Sequence, residues 1–226
     1  MTQASIDEGI GPDTLAQLRE IPIEPGRPLI AVDVDEVLVV FVEHLDRYIR
    51  TLGYEMRLER YELEGSIFPI GTNDAVPFDG CIELINTYFA NETLNQQAVP
   101  GGRAVLERLA EIAQIVILTN VPRHATAMRR QNLDGLGLTW PMAVNSGGKG
   151  RAMAWLAAKA GAPAAIVDDS SSQLESVAKH APEVSRFHFA WAEHIARLYP
   201  DCAHATRQVY DWPGTEQAIR ETFGAD

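Results

Sequence analysis

Leu29-Ile30-Ala31-Val32-Asp33-Val34-Asp35 is the stretch on which the fold turns. Leu29 to Val34 is short, apolar and β-branched, broken only by Asp33, which predicts a strand buried on both faces. Asp33 and Asp35 stand where that strand should stop. Three later segments repeat the arrangement. Gln114 to Leu118 is a second apolar run and ends at Thr119, and Ala164 to Val167 is another, ending at Asp168-Asp169. Lys149 lies in Gly147-Gly148-Lys149-Gly150, just ahead of a helical pattern. Open α/β folds collect their ligands at the carboxyl edge of a parallel sheet. Four groups of this kind meeting at one edge point to chemistry there.

The remaining elements follow from periodicity. Residues 13–20 predict a short leading helix, followed by a proline-rich entry through Pro22, Pro25 and Pro28. Pro100-Gly101-Gly102 opens a helix whose Val105, Leu106, Leu109 and Ile112 recur at helical spacing. Helices are further expected over 122–133, 151–160, 171–180 and 214–223, and short strands over 141–144 and 186–190. Strands alternating with helices make βαβ units. The expected fold class is therefore α/β, a Rossmannoid three-layer α/β/α sandwich on a parallel sheet. About sixty residues between the first strand and Pro100 lack any buried-strand pattern, and a structureless connection of that length would be unusual. Val42, Leu45, Ile49 and Leu52, then Cys81, Leu84, Ile85, Tyr88 and Phe89, predict two amphipathic helices there. The expected division is a core of residues 1–41 and 98–226 with a small helical insertion, 42–97, over the sheet edge. The insertion is rich in aromatics (Tyr48, Tyr54, Tyr61, Phe68, Phe78, Tyr88, Phe89) and has no lysine.

Bulk properties narrow the class. At 226 residues and 46% hydrophobic, the chain can bury one full core. A formal net charge of -12 and a pI near 4.9 argue against nucleic acid or an anionic membrane surface as partner. Cys81 and Cys202 are far apart, in no metal-binding spacing, and are expected to be free thiols. Met1 to Glu20 has no signal-peptide core, and acids interrupt the apolar stretch from Leu29 to Val42, so a cytoplasmic protein is expected.

The four segments supply the parts of one reaction. A phosphate monoester resists hydrolysis because an anion must be attacked and an alkoxide must leave. An aspartate nucleophile divides this into two steps through an acyl phosphate. A second carboxyl two residues on can protonate the leaving oxygen and then take a proton from water. Mg²⁺ suits a cluster of hard oxygen ligands and offsets repulsion between carboxylates and phosphoryl oxygens. A hydroxyl and an ammonium bind the equatorial oxygens. Asp33, Asp35, Thr119, Lys149 and Asp168 or Asp169 provide these groups. Taken singly, each has a plainer account: acids after a strand form turns, Thr119-Asn120 can cap a helix, and Lys149 can be a surface lysine. Yet the chain holds only three lysines against sixteen arginines, and a lysine there suggests a compact point charge. Lys149 is the only counter-charge apparent near the acids.

Together Ala31-Val32-Asp33-Val34-Asp35, Ile117-Leu118-Thr119-Asn120, Lys149 and Ile166-Val167-Asp168-Asp169 resemble the motifs of the haloacid dehalogenase superfamily of phosphohydrolases. The likeness covers the chain from about residue 28 and matches the insertion to the family's C1-type helical cap. It implies Asp33 as nucleophile and Asp35 as acid/base, with the Asp35 backbone carbonyl on Mg²⁺. Asp33, Asp35, Asp168 and Asp169 are then the candidate metal residues, Asp169 as the direct ligand and Asp168 orienting Lys149 or a metal-bound water. Val34, Thr119, Asn120 and Lys149 are the implied phosphoryl-binding set. Within the superfamily the chain looks most like the 5′(3′)-deoxyribonucleotidases, in which a phenylalanine shortly after the aspartate pair stacks on the base; Phe41 matches it. Glu36 departs from the glycine that many members carry there, and a carboxylate near the phosphate is expected to narrow the substrate range or lower activity.

The expected activity is thus Mg²⁺-dependent hydrolysis of a small phosphorylated metabolite, with a nucleoside monophosphate as one candidate. The alternative is a phosphate-binding or regulatory protein on a spent phosphatase scaffold. Asp35 argues against a dehalogenase, which has no leaving alkoxide to protonate. A response-regulator receiver places its acid pair before the phosphorylated Asp, the reverse of the order here. Gly147-Gly148-Lys149-Gly150 lacks the nucleoside triphosphate P-loop pattern. His44, His124, His180, His188, His194 and His204 show no paired metal spacing.

Overall fold

A computed structural model describes residues 7–58, 64–192, 196–197 and 202–225. Its centre is a six-stranded sheet, all parallel: β1 Leu29–Val32, β4 Gln114–Thr119, β5 Met142–Val144, β6 Ala164–Asp168, β7 Ser185–Phe189 and β8 Arg207–Val209, in the order β5-β4-β1-β6-β7-β8. Every residue of β1 is buried because helices cover both faces. Ile30 and Val32 point into one apolar layer with Val105, Leu106 and Leu109 of α4 (Gly102–Leu109) and Ile219 of α8 (Trp212–Phe223). Leu29 and Ala31 point into the other, against Leu18 of α1 (Pro12–Glu20), Leu156 of α6 (Gly150–Ala160) and Leu174 of α7 (Ser171–His180). This is the expected α/β sandwich. Each Val, Leu or Ile side chain so buried contributes about 1.5–3 kcal/mol.

The insertion holds α2 (Val42–Thr51) and α3 (Phe78–Glu92) at the two predicted places. It also holds a small antiparallel hairpin that the sequence did not announce, β2 Tyr54–Met56 with β3 Ile67–Pro69. Leu45 and Ile49 of α2, Cys81, Tyr88 and Phe89 of α3 and Ile67 of β3 share one cluster with Val121 and Ala125. Those last two belong to the loop beyond β4, so the insertion rests on the sheet's carboxyl edge. Tyr61 and His194 lie outside the described residues.

Several expectations need correction. The first strand ends at Val32, not Val34, because the Val34 carbonyl accepts the N–H groups of Val37, Leu38 and Val39 and turns the chain. α4 ends at Leu109, leaving Ile112 in the following turn, where it still packs on the core. Residues 122–133 divide into a 3₁₀ turn, Arg123–Ala125, and α5, Thr126–Gly135. β8 was not foreseen: Arg207-Gln208-Val209 carries no apolar run, and pairing with β7 alone makes it a strand. No helix among the described residues is long and apolar enough to cross a membrane.

Candidate active site

Strand register brings the acids together. Val32 pairs with Ile117 on one side and Val167 on the other, so Asp33, Asp168 and Thr119 end their strands within one residue of the same level. The Asp33 N–H is tied to the Val167 carbonyl at 2.9 Å. Lys149 reaches in from the start of α6 and is 1% exposed. Its Nζ donates to Asp33 Oδ1 at 2.5 Å and to Asp168 Oδ2 at 2.7 Å. Burial by itself would lower the ammonium's pKa, but Asp168 and Asp33 outweigh it and hold it above the ordinary lysine value. Asp168 is pushed up to about 6 by burial and by Asp33, against the pull of Lys149. Its other oxygen accepts the Ser170 N–H at 2.9 Å.

The loop carrying Lys149 is set by α7. The Lys149 N–H donates to Gln173 Oε1 at 2.8 Å and the Gly150 N–H to Ser176 Oγ at 3.0 Å. A Cβ on Gly150 would lie 2.0 Å from the Ser176 carbonyl oxygen, so only glycine lets the two helices approach this closely. Asn120 and Asn145 brace the opposite wall, Asn145 Nδ2 donating to Asn120 Oδ1 at 3.0 Å and both amides reaching the Gly147 carbonyl.

Thr119 is fully buried, and its Oγ1 has no hydrogen-bond partner among the described residues. A buried hydroxyl without a partner is costly unless a ligand completes it. It caps no helix: the turn that follows has no side-chain cap. The Val34 N–H likewise has no acceptor among the described residues. Asp33, Asp168 and Asp169 offer oxygens that all lie within 4.8 Å of one another, an all-oxygen donor set of the kind Mg²⁺ prefers. A cavity of about 170 Å³ opens onto this cluster, lined by Asp33, Asp35, Phe41, Asn120, Lys149, Asp168, Asp169, Ser170 and Gln173.

Two features differ from the sequence reading. The Asp35 carboxylate stands apart from the three-acid cluster: Oδ1 takes Arg129 Nη2 at 2.6 Å and Gln96 Nε2 at 3.2 Å. Burial raises its pKa and Arg129 opposes the rise. Lys149 is therefore not the only counter-charge, and Arg129, fully buried, is another. Helical spacing carried a signal for it, since Ala125, Arg129 and Leu133 fall on one face and the outer two are apolar.

The other feature is Glu36. Its carboxylate does not line the cavity; Oε2 accepts the N–H groups of Phe41 (3.0 Å) and Val42 (2.8 Å), and Oε1 accepts the Trp191 indole N–H (2.7 Å). Glu36 adopts φ 62°, the left-handed conformation that glycine takes freely. The strain is offset by three hydrogen bonds to a carboxylate placed at the N-terminus of α2. The expected charge beside the phosphate is thus spent on anchoring the insertion.

No family model matches the chain, and the comparison with curated proteins finds no match. Solved structures do match over nearly the whole length. A phosphonoacetaldehyde hydrolase-like protein from Oleispira antarctica superposes with TM-score 0.59 at 14% identity, covering 90% of this chain and 95% of that one. A haloacid dehalogenase family hydrolase from Deinococcus radiodurans, solved with bound phosphate and sodium, gives TM-score 0.56 at 15% identity over 88% and 97%. A haloacid dehalogenase-like family protein from Streptococcus pneumoniae gives 0.56 at 15% over 86% and 99%. The fold is the Rossmann-like one that these hydrolases share.

Proposed function

We propose that the protein is a Mg²⁺-dependent phosphomonoesterase that works through an aspartyl phosphate on a small phosphorylated metabolite, with residues 42–97 as its cap. The observation that carries this is the buried Asp33–Lys149–Asp168 chain beside a partnerless Thr119 hydroxyl. Such a site presents a nucleophile, a fixed cation and a free donor to one anion. An Asp33 oxygen attacks phosphorus and the ester P–O bond breaks. Asp35 gives its proton to the leaving oxygen, then takes one from the water that attacks the acyl phosphate, which frees inorganic phosphate and restores Asp33. Lys149, the Thr119 hydroxyl and the Val34 N–H hold the equatorial oxygens as charge builds. Asp33 and Asp169, with the Asp35 carbonyl, would hold Mg²⁺, and Asp168 orients Lys149. When bound, the ion neutralises charge between carboxylates and phosphoryl oxygens.

A phosphate-release screen over nucleotides, sugar phosphates and phosphorylated amino acids, with Mg²⁺ and with EDTA, tests this. Turnover on at least one ester that EDTA abolishes is expected. A flat profile under all conditions favours the phosphate-binding alternative.

The acids also predict a metal effect on stability. Asp33, Asp168 and Asp169 crowd one edge, with Lys149 paired to Asp33 and Asp168, and like charges this close are unfavourable. An ion that binds only the native state adds about 2.7 kcal/mol at a hundredfold excess over Kd. For a chain of this size that raises Tm by roughly 5–10 °C. Differential scanning fluorimetry should show the rise with Mg²⁺, and Asp169→Ala should erase it. A melting curve indifferent to the ion would speak against a preformed metal site.

A nucleoside monophosphate is favoured by Phe41, which lines the cavity while packing edge-on to Tyr88 (5.5 Å between centroids) and stacked near Phe89 (5.8 Å). The cavity of about 170 Å³ falls below the ~300 Å³ at which pockets for whole organic ligands begin, so a base would enter only with the cap displaced. Phe41→Ala should raise KM for nucleotides and lower kcat/KM by roughly five- to a hundredfold, the worth of one stacked base. A small aryl phosphate should be nearly unaffected. Uniform loss on both, with a lowered Tm, would reduce Phe41 to a packing residue and remove the nucleotidase reading.

A further inference from the structure

Asp35 is gripped by a cation that the chemistry above leaves without a task. Arg129 is fully buried, and its Nη2 lies 2.6 Å from Asp35 Oδ1, the oxygen that Gln96 also reaches. Asp35 Oδ2 has no hydrogen-bond partner among the described residues, and Asp35 lines the cavity. One oxygen is thus clamped and the other presented. The clamp continues outward: Asn132 Oδ1 faces Arg129 Nη1 at 3.5 Å, and Asn132 Nδ2 donates to the carbonyls of Gln96 (2.9 Å) and Leu94 (3.3 Å). Residues 94–97 bring the chain back from the insertion, and Val40 leads into it. The two are joined by Val40 N–H to Gln97 carbonyl (2.9 Å) and by Gln96 Nε2 to Val40 carbonyl (3.4 Å).

A carboxyl that must pass a proton to one oxygen needs a fixed rotamer, since misplacement by about 1 Å can cost a hundredfold in rate. A buried planar guanidinium provides that rigidity better than a flexible ammonium. We infer that Arg129 is the positioning residue for Asp35: it holds Oδ1 so that Oδ2 faces the leaving oxygen, and Gln96 and Asn132 tie that setting to the two segments joining the insertion to the core. The inference rests on the phosphomonoesterase reading.

The test is a double-mutant cycle in the full chain, with p-nitrophenyl phosphate as the good leaving group and an alkyl phosphate such as glycerol phosphate as the poor one. Arg129→Met should lower kcat on the alkyl ester by about a hundredfold, with KM little changed and the aryl ester within a few-fold of wild type. Arg129→Lys should recover part of the alkyl activity. In an Asp35→Asn background, Arg129→Met should cost nothing further. Equal losses on both esters, or a full additional loss in that background, would overturn the inference. Should Arg129→Met fail to fold, Gln96→Leu decides: an alkyl-selective loss supports the clamp, and a uniform loss or none refutes it. A wild type inactive on every ester would bring down the phosphatase reading and this inference together. An active wild type with an additive cycle brings down the inference alone.

Discussion

Asp33→Asn should remove turnover by a factor on the order of 10⁴–10⁶, the scale seen when a covalent nucleophile is deleted, while the fold and phosphate binding survive. The amide fits the same space but cannot attack phosphorus. Lys149 loses one of its two carboxylate partners and keeps Asp168 at 2.7 Å, so the buried ammonium is not left alone. Thr119 and the Val34 N–H are untouched. Two measurements check this. Steady-state phosphate release should fall to background in a pure preparation, and acid-quenched wild type should carry a phosphoryl group that the variant lacks. Substantial residual turnover in Asp33→Asn would take the nucleophile role away from Asp33.

Lys149→Met should have the largest effect on stability. The ammonium is 1% exposed and lies between Asp33 and Asp168, with Asp169 close by. Removing one partner from a buried ion pair typically costs about 3–5 kcal/mol, because the remaining charge stays buried without compensation. At this chain length that is roughly 6–20 °C in Tm. Under the proposed mechanism the variant also loses a donor to the phosphoryl oxygens, which should lower kcat by about 10²–10³. The pH dependence follows from Asp168. Its folded pKa, about 6, stands above the 3.8 of an ordinary aspartate, so the protonated carboxyl favours the fold. That contribution is full below about pH 3.8 and is lost as pH rises through about 6. Without Lys149 the carboxyl moves higher still, so the metal-free variant should lose more stability than wild type between pH 5 and pH 8. Parallel melting curves for the two proteins across that range would contradict the role of Lys149 as the cation that compensates Asp168.

The three middle strands of the central sheet could be read directly because they are buried on both faces. Leu29–Val32, Ile115–Leu118 and Ala164–Val167 have no polar side to hide, so unbroken apolar runs with chemistry at their carboxyl ends stand out. Hydrophobic period likewise placed α2 and α3. β8 and the β2–β3 hairpin carry no such pattern, since three-residue strands with polar members exist only through their partners.

By itself, the sequence determined the parallel core and the strand ends where Asp33, Thr119 and Asp168 meet, because unbroken apolar runs mark buried strands, while Lys149 stood out as one of only three lysines, set in a glycine-rich loop ahead of a helix. Only the tertiary structure decided what holds Asp35 and where Glu36 turns. Arg129 and Gln96 stand 94 and 61 residues from the carboxylate they grip, and Trp191 lies 155 residues from Glu36. A polar side chain declares no direction in sequence: whether it faces water or a buried partner depends on which distant donor the fold delivers to it, since a buried charge is tolerated only where such a partner arrives.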